Sequence, residues 1–405
     1  MDDSGLNVAE KNLYPFDDIS SQFAYNNFTD KVIPPTNEMC FITHDGKLQR
    51  PYRTFNRSFE ENLQHPYFRI MDYSNSLLTA WRSQDSKEPI ELELLKLCDM
   101  SHNNVTRIQA SGNIDSLILN KTEKLLAMVY HDEDWRVDIR RLNNFQLREV
   151  VYHVTPIIGV FFYNDVLFSL SNKLIVSYPE ERHENCLISS SRKILGWAQH
   201  PTDPYLVLIE PERYKIIDLN THALVKTAEW TDQMKWFNVM QKYLNHSFVL
   251  HVDKSTAEFS TDGNRLFFGG YGQLAVFDWH DMLRPRCVQS EPANIIDIYS
   301  NNYCAEDPGK SIDAHIIDMV PINRDKLLCV TADGYLSMVN IRTGKIFLLL
   351  KPGSGVRMNS LQLCANGKYL AMLGYYYNYN NSGCEVESAL LIWKLSRLLN
   401  KGSVI

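Results

Sequence analysis

The chain has 405 residues, of which 44% are hydrophobic, 11% aromatic and 22% charged, a composition that supplies an ample core. Its length exceeds the roughly 100–200 residues of one ordinary compact domain, yet it suits a single large ring of repeated units. The formal net charge of −7 works against non-specific attraction to nucleic-acid phosphates or anionic lipid, and against acidic substrates.

Residues 1–38 carry Asp2, Asp3, Glu10, Asp17, Asp18, Asp30 and Glu38 against only Lys11 and Lys31, with Pro34 and Pro35 near the end. This is expected to be a flexible acidic arm. Tyr14 with Phe16, Phe23 with Tyr25, and Phe28 are candidate docking points for a partner or for the rest of the chain, since an extended arm can supply the outer strand of a sheet. The segment has neither a basic start nor an apolar core, so no secretory signal is expected. Apolar runs such as Ile157 to Phe162 fall far short of the ~18 residues of a membrane helix. The eight cysteines are scattered without a Cys-x-x-Cys pair and are expected to be reduced thiols in the core. A cytoplasmic or nuclear location follows as the expectation.

From Met39 the pattern turns to β. Met39 to Thr43 precedes an Asp45-Gly46 turn, and Phe68 to Tyr73 and Leu77 to Trp81 are further candidate strands. Between them, Arg50, Arg53, Arg57 and Arg69 interleave with Tyr52, Phe55, Phe59, Tyr67 and Phe68. Arginine and aromatic planes can stack single-stranded bases, so this stretch offers an RNA contact, a protein contact or an ordinary surface loop; Glu60 and Glu61 interrupt it.

Three units follow, at 105–147, 150–190 and 192–228, each with β-branched or leucine-rich runs separated by turn residues such as Asn164-Asp165. No single run separates a strand from a buried helix, but their recurrence argues for an array of sheets. Residues 229–250 break the rhythm: Trp230, Met234, Phe237, Met240 and Leu244 recur at three- and four-residue spacing after a possible cap at Thr231, which predicts an amphipathic helix. Its apolar stripe, with Trp230 and Trp236, suits packing on the sheets or docking to a partner.

The stretch from Ser255 to Gln289 organises the rest. Phe259 ends a short apolar run, Ser260-Thr261-Asp262-Gly263 supplies a turn, Leu266 to Phe268 resumes as a strand, and a glycine turn precedes Leu274, Val276 and Phe277. Ile312 to Leu350 repeats this order with an Asp333-Gly334 hairpin signal, and Val356 to Leu395 repeats it again around Asn366-Gly367. Within that last unit a predicted inserted loop holds Tyr375, Tyr376, Tyr377 and Tyr379; tyrosines give large contact area at little rotamer cost. These three units resemble WD40 repeats, in which a strand, a Ser-Pro-Asp-Gly-like turn, two further strands and a Trp-Asp ending recur every ~40 residues. Here the ending is Phe277-Asp278-Trp279.

The resemblance implies an all-β, seven-bladed WD40-like β-propeller over residues 39–398, with units at 39–98, 105–147, 150–190, 192–228, 255–289, 312–350 and 356–398, a helical insertion at about 229–250, and a tail at 399–405. Function is then left to loops and flat faces. No nucleotide-binding, serine-hydrolase or zinc-protease motif occurs, and the acidic turn His131 to Asp134 lacks the spacing of a calcium loop. No catalytic residue, metal, cofactor or small-molecule substrate is therefore expected. Some WD40 proteins that present substrates to cullin-RING ubiquitin ligases end a blade in Trp-Asp-x-Arg; Asp138 and Arg140 match the Asp and Arg, with Val137 in place of Trp. An Asp-x-Arg pair also simply ties a strand end by a local ion pair. The leading expectation is a non-enzymatic scaffold within a multiprotein complex, the alternatives a ubiquitin-ligase substrate receptor and an RNA-associated propeller.

Overall fold

The structure, a computed structural model, describes residues 41–42, 48–49, 53–55, 67–71, 76–81, 89–96, 102–109, 113–131, 135–153, 155–171, 174–177, 183–185, 194–232, 234, 256–270, 272–284, 289–298, 316–331, 334–352, 356–364, 367–380 and 383–399. The chain separates into two units, Met1–Glu38 and Met39–Ile405, and every described residue belongs to the second.

The strands are short and almost all antiparallel. β1 (Phe41–Ile42), β2 (Leu48–Gln49) and β3 (Arg53–Phe55) come first. Sheet 1 holds β4 (Tyr67–Met71), β5 (Ser76–Trp81), β6 (Ile90–Lys96) and β7 (His102–Ile108); sheet 2 holds β8 (Asn113–Leu119), β9 (Leu125–His131), β10 (Trp135–Arg141) and β11 (Leu147–His153). Sheet 3 is β12 (Gly159–Tyr163), β13 (Val166–Leu170), β14 (Leu174–Ser177) and β15 (His183–Asn185); sheet 4 is β16 (Gly196–Gln199), β17 (Tyr205–Ile209), β18 (Arg213–Asp218) and β19 (Ala223–Trp230). Sheet 5 begins with β20 (Ala257–Phe259), β21 (Arg265–Gly269) and β22 (Gln273–Asp278), after which come helix α1 (Trp279–Leu283) and β23 (Gln289–Ser290), which pairs in parallel with β19. β24 (Asn294–Asp297) then completes sheet 5. Sheet 6 is β25 (Ile316–Asn323), β26 (Lys326–Thr331), β27 (Leu336–Asn340) and β28 (Ile346–Pro352); sheet 7 is β29 (Val356–Leu363), β30 (Tyr369–Asn380) and β31 (Gly383–Lys394), followed by helix α2 (Leu395–Leu399).

The second strand of each sheet shows why these segments are apolar on both sides. In β17, Val207 and Ile209 join a cluster with Phe259, Leu266 and Phe268 of sheet 5, whereas Leu206 and Leu208 join one with Phe161 and Phe168 of sheet 3. A strand alternates its side chains between faces, so β17 is sandwiched between two sheets and needs apolar residues at every position. β9 repeats the arrangement: Leu126, Met128 and Tyr130 pack with sheet 1, Ala127 and Val129 with sheet 3. In β26, Leu328 and Val330 face sheet 7, Leu327 and Cys329 face sheet 5. In β30, Leu370 and Met372 face sheet 6, while Ala371 and Leu373 pack on Phe68 and Leu77 of sheet 1. The sheets thus follow one another in a cycle in which the last touches the first. Each fully buried aliphatic or aromatic side chain in these seams contributes about 1.5–3 kcal/mol.

The cycle is also tied by hydrogen bonds. Gln362 of β29 donates from Nε2 to the Phe68 carbonyl (3.0 Å) and accepts from the Ile70 N–H (2.9 Å), joining sheet 7 to sheet 1. Asp318 Oδ2 accepts from the Leu361 N–H (2.7 Å) between sheets 6 and 7. Between sheets 3 and 4, Trp197 Nε1 donates to the Ile158 carbonyl (3.2 Å), and the ring lies so close to Gly159 that a Cβ there would sit 2.5 Å from it. Early and late chain segments meet in sheets 6 and 7: β1 pairs with β28 (Phe41↔Pro352), and β3 pairs with β31 (Arg53↔Ile392).

Several expectations need correction. The outer strands added from the N-terminal side are β1, β2 and β3; the arm at 1–38 lies outside the described residues. The units read from the sequence cut the sheets one strand early, because β7 and β11 close sheets 1 and 2 instead of opening the next units. Glu229 and Trp230, assigned to a helix, end strand β19; helical backbone occurs at Asp232 and Met234, and the rest of the predicted helix lies outside the described residues. The inserted tyrosine loop is a hairpin whose strands stay paired from Tyr369↔Lys394 to Asn380↔Gly383, since tyrosine favours strands.

Candidate interaction surface

Antiparallel order puts the turns between first and second strands, and between third and fourth, at one end of every sheet. The turns between second and third strands, and the connections to the next sheet, lie at the other end. Bonds between sheets show that the same ends lie together. Asn120 Nδ2 of the β8–β9 turn donates to Asp165 Oδ1 of the β12–β13 turn (2.6 Å), and Gln199 Nε2 of β16 donates to the Phe162 carbonyl of β12 (3.3 Å). His200, after β16, bonds to the Gly263 carbonyl (3.0 Å), and Arg265 Nη1 lies 3.4 Å from Asp325 Oδ1 of the β25–β26 turn.

The described turns at this end satisfy themselves. Asn120 Oδ1 accepts from the Lys124 and Leu125 N–H groups (both 2.8 Å), Asp218 Oδ1 from Asn220 and Thr221 (2.8 and 2.9 Å), and Asn340 Oδ1 from Arg342 and Thr343 (both 3.1 Å). Such side-chain caps fix a turn through its own backbone. Asn164 and Asp165, with φ of 48° and 64°, make the two-residue turn between β12 and β13 that the hairpin twist favours. Ser260 Oγ donates to Asp262 Oδ1 (2.7 Å), and Asn264 donates from its N–H (3.2 Å) to Oδ1 and from Nδ2 (2.8 Å) to Oδ2. Burial alone would raise the Asp262 pKa, but the bonds from Ser260 and Asn264 outweigh it and hold the carboxyl below its ordinary value.

The opposite, loop end is built differently. The connections 231–256 and 298–315 leave from it, and so does the β30–β31 hairpin. Those two strands have 12 residues each, against 5 in β21 and 7 in β9. Among the described residues, β29 accompanies β30 as far as Val356↔Tyr376, and β3 accompanies β31 over Leu390 to Ile392. Beyond Tyr376 the described backbone is a two-stranded ribbon through Tyr377↔Val386 and Tyr379↔Cys384, which at ~3.3 Å per residue continues past the last described β29 pair.

No protein-family model and no curated protein matches the sequence. Solved structures do match. The β-propeller domain of Cps50 (Swd1) from Myceliophteria thermophila superposes with a TM-score of 0.57 at 11% identity, over 85% of this chain and 99% of that one. A chain of the mitotic checkpoint complex superposes with a TM-score of 0.54 at 12% identity, over 91% of this chain and 98% of that one. The fold is a WD40-type β-propeller.

Within this propeller the sequence-derived site residues are dispersed. Tyr375, Tyr376, Tyr377 and Tyr379 fall on β30 at the loop end. Trp230 is fully buried: its Nε1 donates to the Glu210 carbonyl (2.9 Å), and its ring packs 4.8 Å from Tyr214 and 5.3 Å from Phe277. Glu210 itself is buried and holds Lys215 and Arg213, each at 2.7 Å. Trp236 lies outside the described residues. Arg140 is buried on β10, where Nη2 donates to Asp138 Oδ2 (2.9 Å) and Nη1 to the Phe145 carbonyl (3.0 Å), while Arg136 holds Asp138 Oδ1 (3.1 Å). That is the local ion pair of a strand end, closing the β10–β11 turn. Of the basic aromatic stretch, only β3 and the start of β4 are described.

The sequence reading missed Gln362, Asp318 and His200, which join neighbouring sheets. A signal existed for His200: it follows the first strand of its unit at the place that Ser260 takes in the next. Among the described residues no group of three or more His, Cys, Asp or Glu is placed to hold a metal, and no helix is long and apolar enough to cross a membrane.

Proposed function

We propose that the chain is a non-enzymatic scaffold, a seven-bladed propeller that serves as a subunit of a multiprotein assembly and grips its partners at the loop end. The observation that carries this reading is the β30–β31 ribbon, which extends past its neighbouring strands and carries Tyr375, Tyr376, Tyr377 and Tyr379. Tyrosines lose little rotamer freedom on binding, and ribbon edges that no other described strand covers offer backbone groups to an incoming strand. Seven sheets among the described residues support the blade count, with apolar clusters joining each to the next and the last to the first. The similar propellers include a chain of the mitotic checkpoint complex, which accords with a place in an assembly. The burial of Arg140 against Asp138 favours its structural role over adaptor binding.

The test replaces residues 377–386 by an Asn-Gly turn and compares stable partners of the trimmed and intact chains by quantitative affinity purification. Loss of partners from a folded, trimmed chain is expected. Full retention would contradict the ribbon as the docking element.

A further inference from the structure

The joint between sheets 4 and 5 contains a buried imidazole with both ring nitrogens committed. His200 is 4% exposed, stacks on Trp279 (5.4 Å between centroids) and receives Phe259 edge-on (4.9 Å). Its Nε2 lies 3.0 Å from the Gly263 carbonyl, and a carbonyl only accepts, so Nε2 carries the hydrogen. On the other side, the Asp203 N–H donates to Nδ1 at 2.9 Å, so Nδ1 must be bare. The neutral ring in this one tautomer satisfies both bonds. A hydrogen added at Nδ1 would face the Asp203 N–H donor head on.

A substitute acceptor is already at hand. Oδ2 of Asp203 lies 3.7 Å from Nδ1 on a half-exposed side chain whose Oδ1 accepts from Thr202 Oγ1 (3.4 Å), and Thr202 also brings its N–H (3.4 Å) and Oγ1 (3.5 Å) to Nδ1. We propose that His200 is a proton-operated catch on the turn end: uptake of a proton from water at Nδ1 ejects the Asp203 N–H and recruits the Asp203 carboxylate. The Pro201 to Pro204 turn then takes a second conformation. The Nε2–H bond to Gly263 persists in the charged ring, so the two sheets stay joined while the exposed turn changes. The turn's remaining backbone anchors are the His200 N–H to the Tyr205 carbonyl (2.9 Å), the Leu219 N–H to the Pro204 carbonyl (2.7 Å) and the Tyr205 N–H to the Asp203 carbonyl (2.8 Å). The last of these uses the Asp203–Pro204 peptide, next to the Thr202–Asp203 peptide that must move.

The charged groups around the ring oppose one another. Asp203 on its own turn favours the protonated form, and His280 of α1 disfavours it. Asp262, on the turn that presents Gly263, is occupied by Ser260 and Asn264. Burial is the largest influence and holds the ring below the ordinary histidine pKa, against the Gly263 bond and the Asp203 charge. The catch is therefore closed at neutral pH and opens in mild acid.

The experiment is a pH titration of the full chain carrying isotope-labelled histidine rings and aspartate amides, observed by NMR. The expected result is a ring signal, absent from His200→Gln, that reports the Nε2–H tautomer at neutral pH and titrates below about 6.5. The Asp203 amide should shift with the same midpoint, and Asp203→Asn should lower that midpoint. If His200→Gln does not fold, the signal is assigned by its through-space contacts with the rings of Trp279 and Phe259. An Nδ1–H tautomer at neutral pH, an Asp203 amide that ignores the titration, or a midpoint unmoved by Asp203→Asn would each overturn the proposal.

Discussion

The two ends of the propeller solve different problems with the same strands. At the turn end, short Asn- and Asp-capped turns accept their own backbone N–H groups and bond across to the next sheet, as Asn120 does to Asp165 and His200 to Gly263. Little polar valence is left on the described turns for a partner. At the loop end the framework stops at anchors such as the buried Glu210 cluster and Trp230, the connections 231–256 and 298–315 start from there, and the tyrosine ribbon continues past its neighbouring strands. The contrast teaches that exposure alone does not mark a binding surface: what counts is where backbone and aromatic surface stay uncommitted.

The contrast can be broken most severely at Trp230. Replacing it by alanine removes a ring packed between Tyr214 and Phe277 and is expected to cost about 3–5 kcal/mol, measured by denaturant unfolding. A partner lost without any loss of stability would instead make Trp230 a docking residue. Arg140→Ala comes next. It leaves the buried Asp138 with Arg136 alone and should cost about 3 kcal/mol, the low end for breaking a buried pair; unchanged stability with loss of a cullin adaptor would reverse the assignment of that residue.

Acid should act more gently. His200 has a folded pKa below its unfolded value, so the unfolded chain binds more protons between the two. The stability it contributes is complete above the unfolded value of about 6.5 and declines as pH falls through the folded one. Thermal midpoints measured from pH 8 to 5 should show this decline, and His200→Gln should flatten it. Trimming the ribbon at 377–386 is the smallest perturbation: among the described residues these strands pair with one another alone beyond Tyr376, so the unfolding midpoint should move by no more than a degree or two, as for a surface change within about 0.5 kcal/mol.

Much of the fold was legible because sandwiched strands are apolar at every position. Runs such as Tyr205 to Ile209 and Lys326 to Thr331, bounded by turn residues, show that pattern plainly. The phase of the repeat was not legible, because a fourth strand such as Leu147 to His153 is exposed or half-buried except at Val151 and His153 and resembles a linker as much as a strand. Periodicity also placed Trp230 on the wrong element: it closes strand β19, and helical backbone occurs only after it, at Asp232 and Met234 among the described residues. The tyrosine stretch was recognised as unusual, but its polar Asn and Ser neighbours suggested a loop, whereas pairing along twelve positions comes from the two strands together. Arg140 was noticed through a motif; only the placement of Phe145 and Asp138 shows what its guanidinium holds.

The central claim is that partners are gripped at the loop end, and crosslinking mass spectrometry of the native assembly tests it most directly. The account predicts that crosslinks to partner proteins concentrate on Lys242, Lys254 and Lys310, which lie in the connections 231–256 and 298–315. Crosslinks concentrated instead on the exposed turn-end lysines Lys121, Lys124, Lys345 and Lys368 would contradict it.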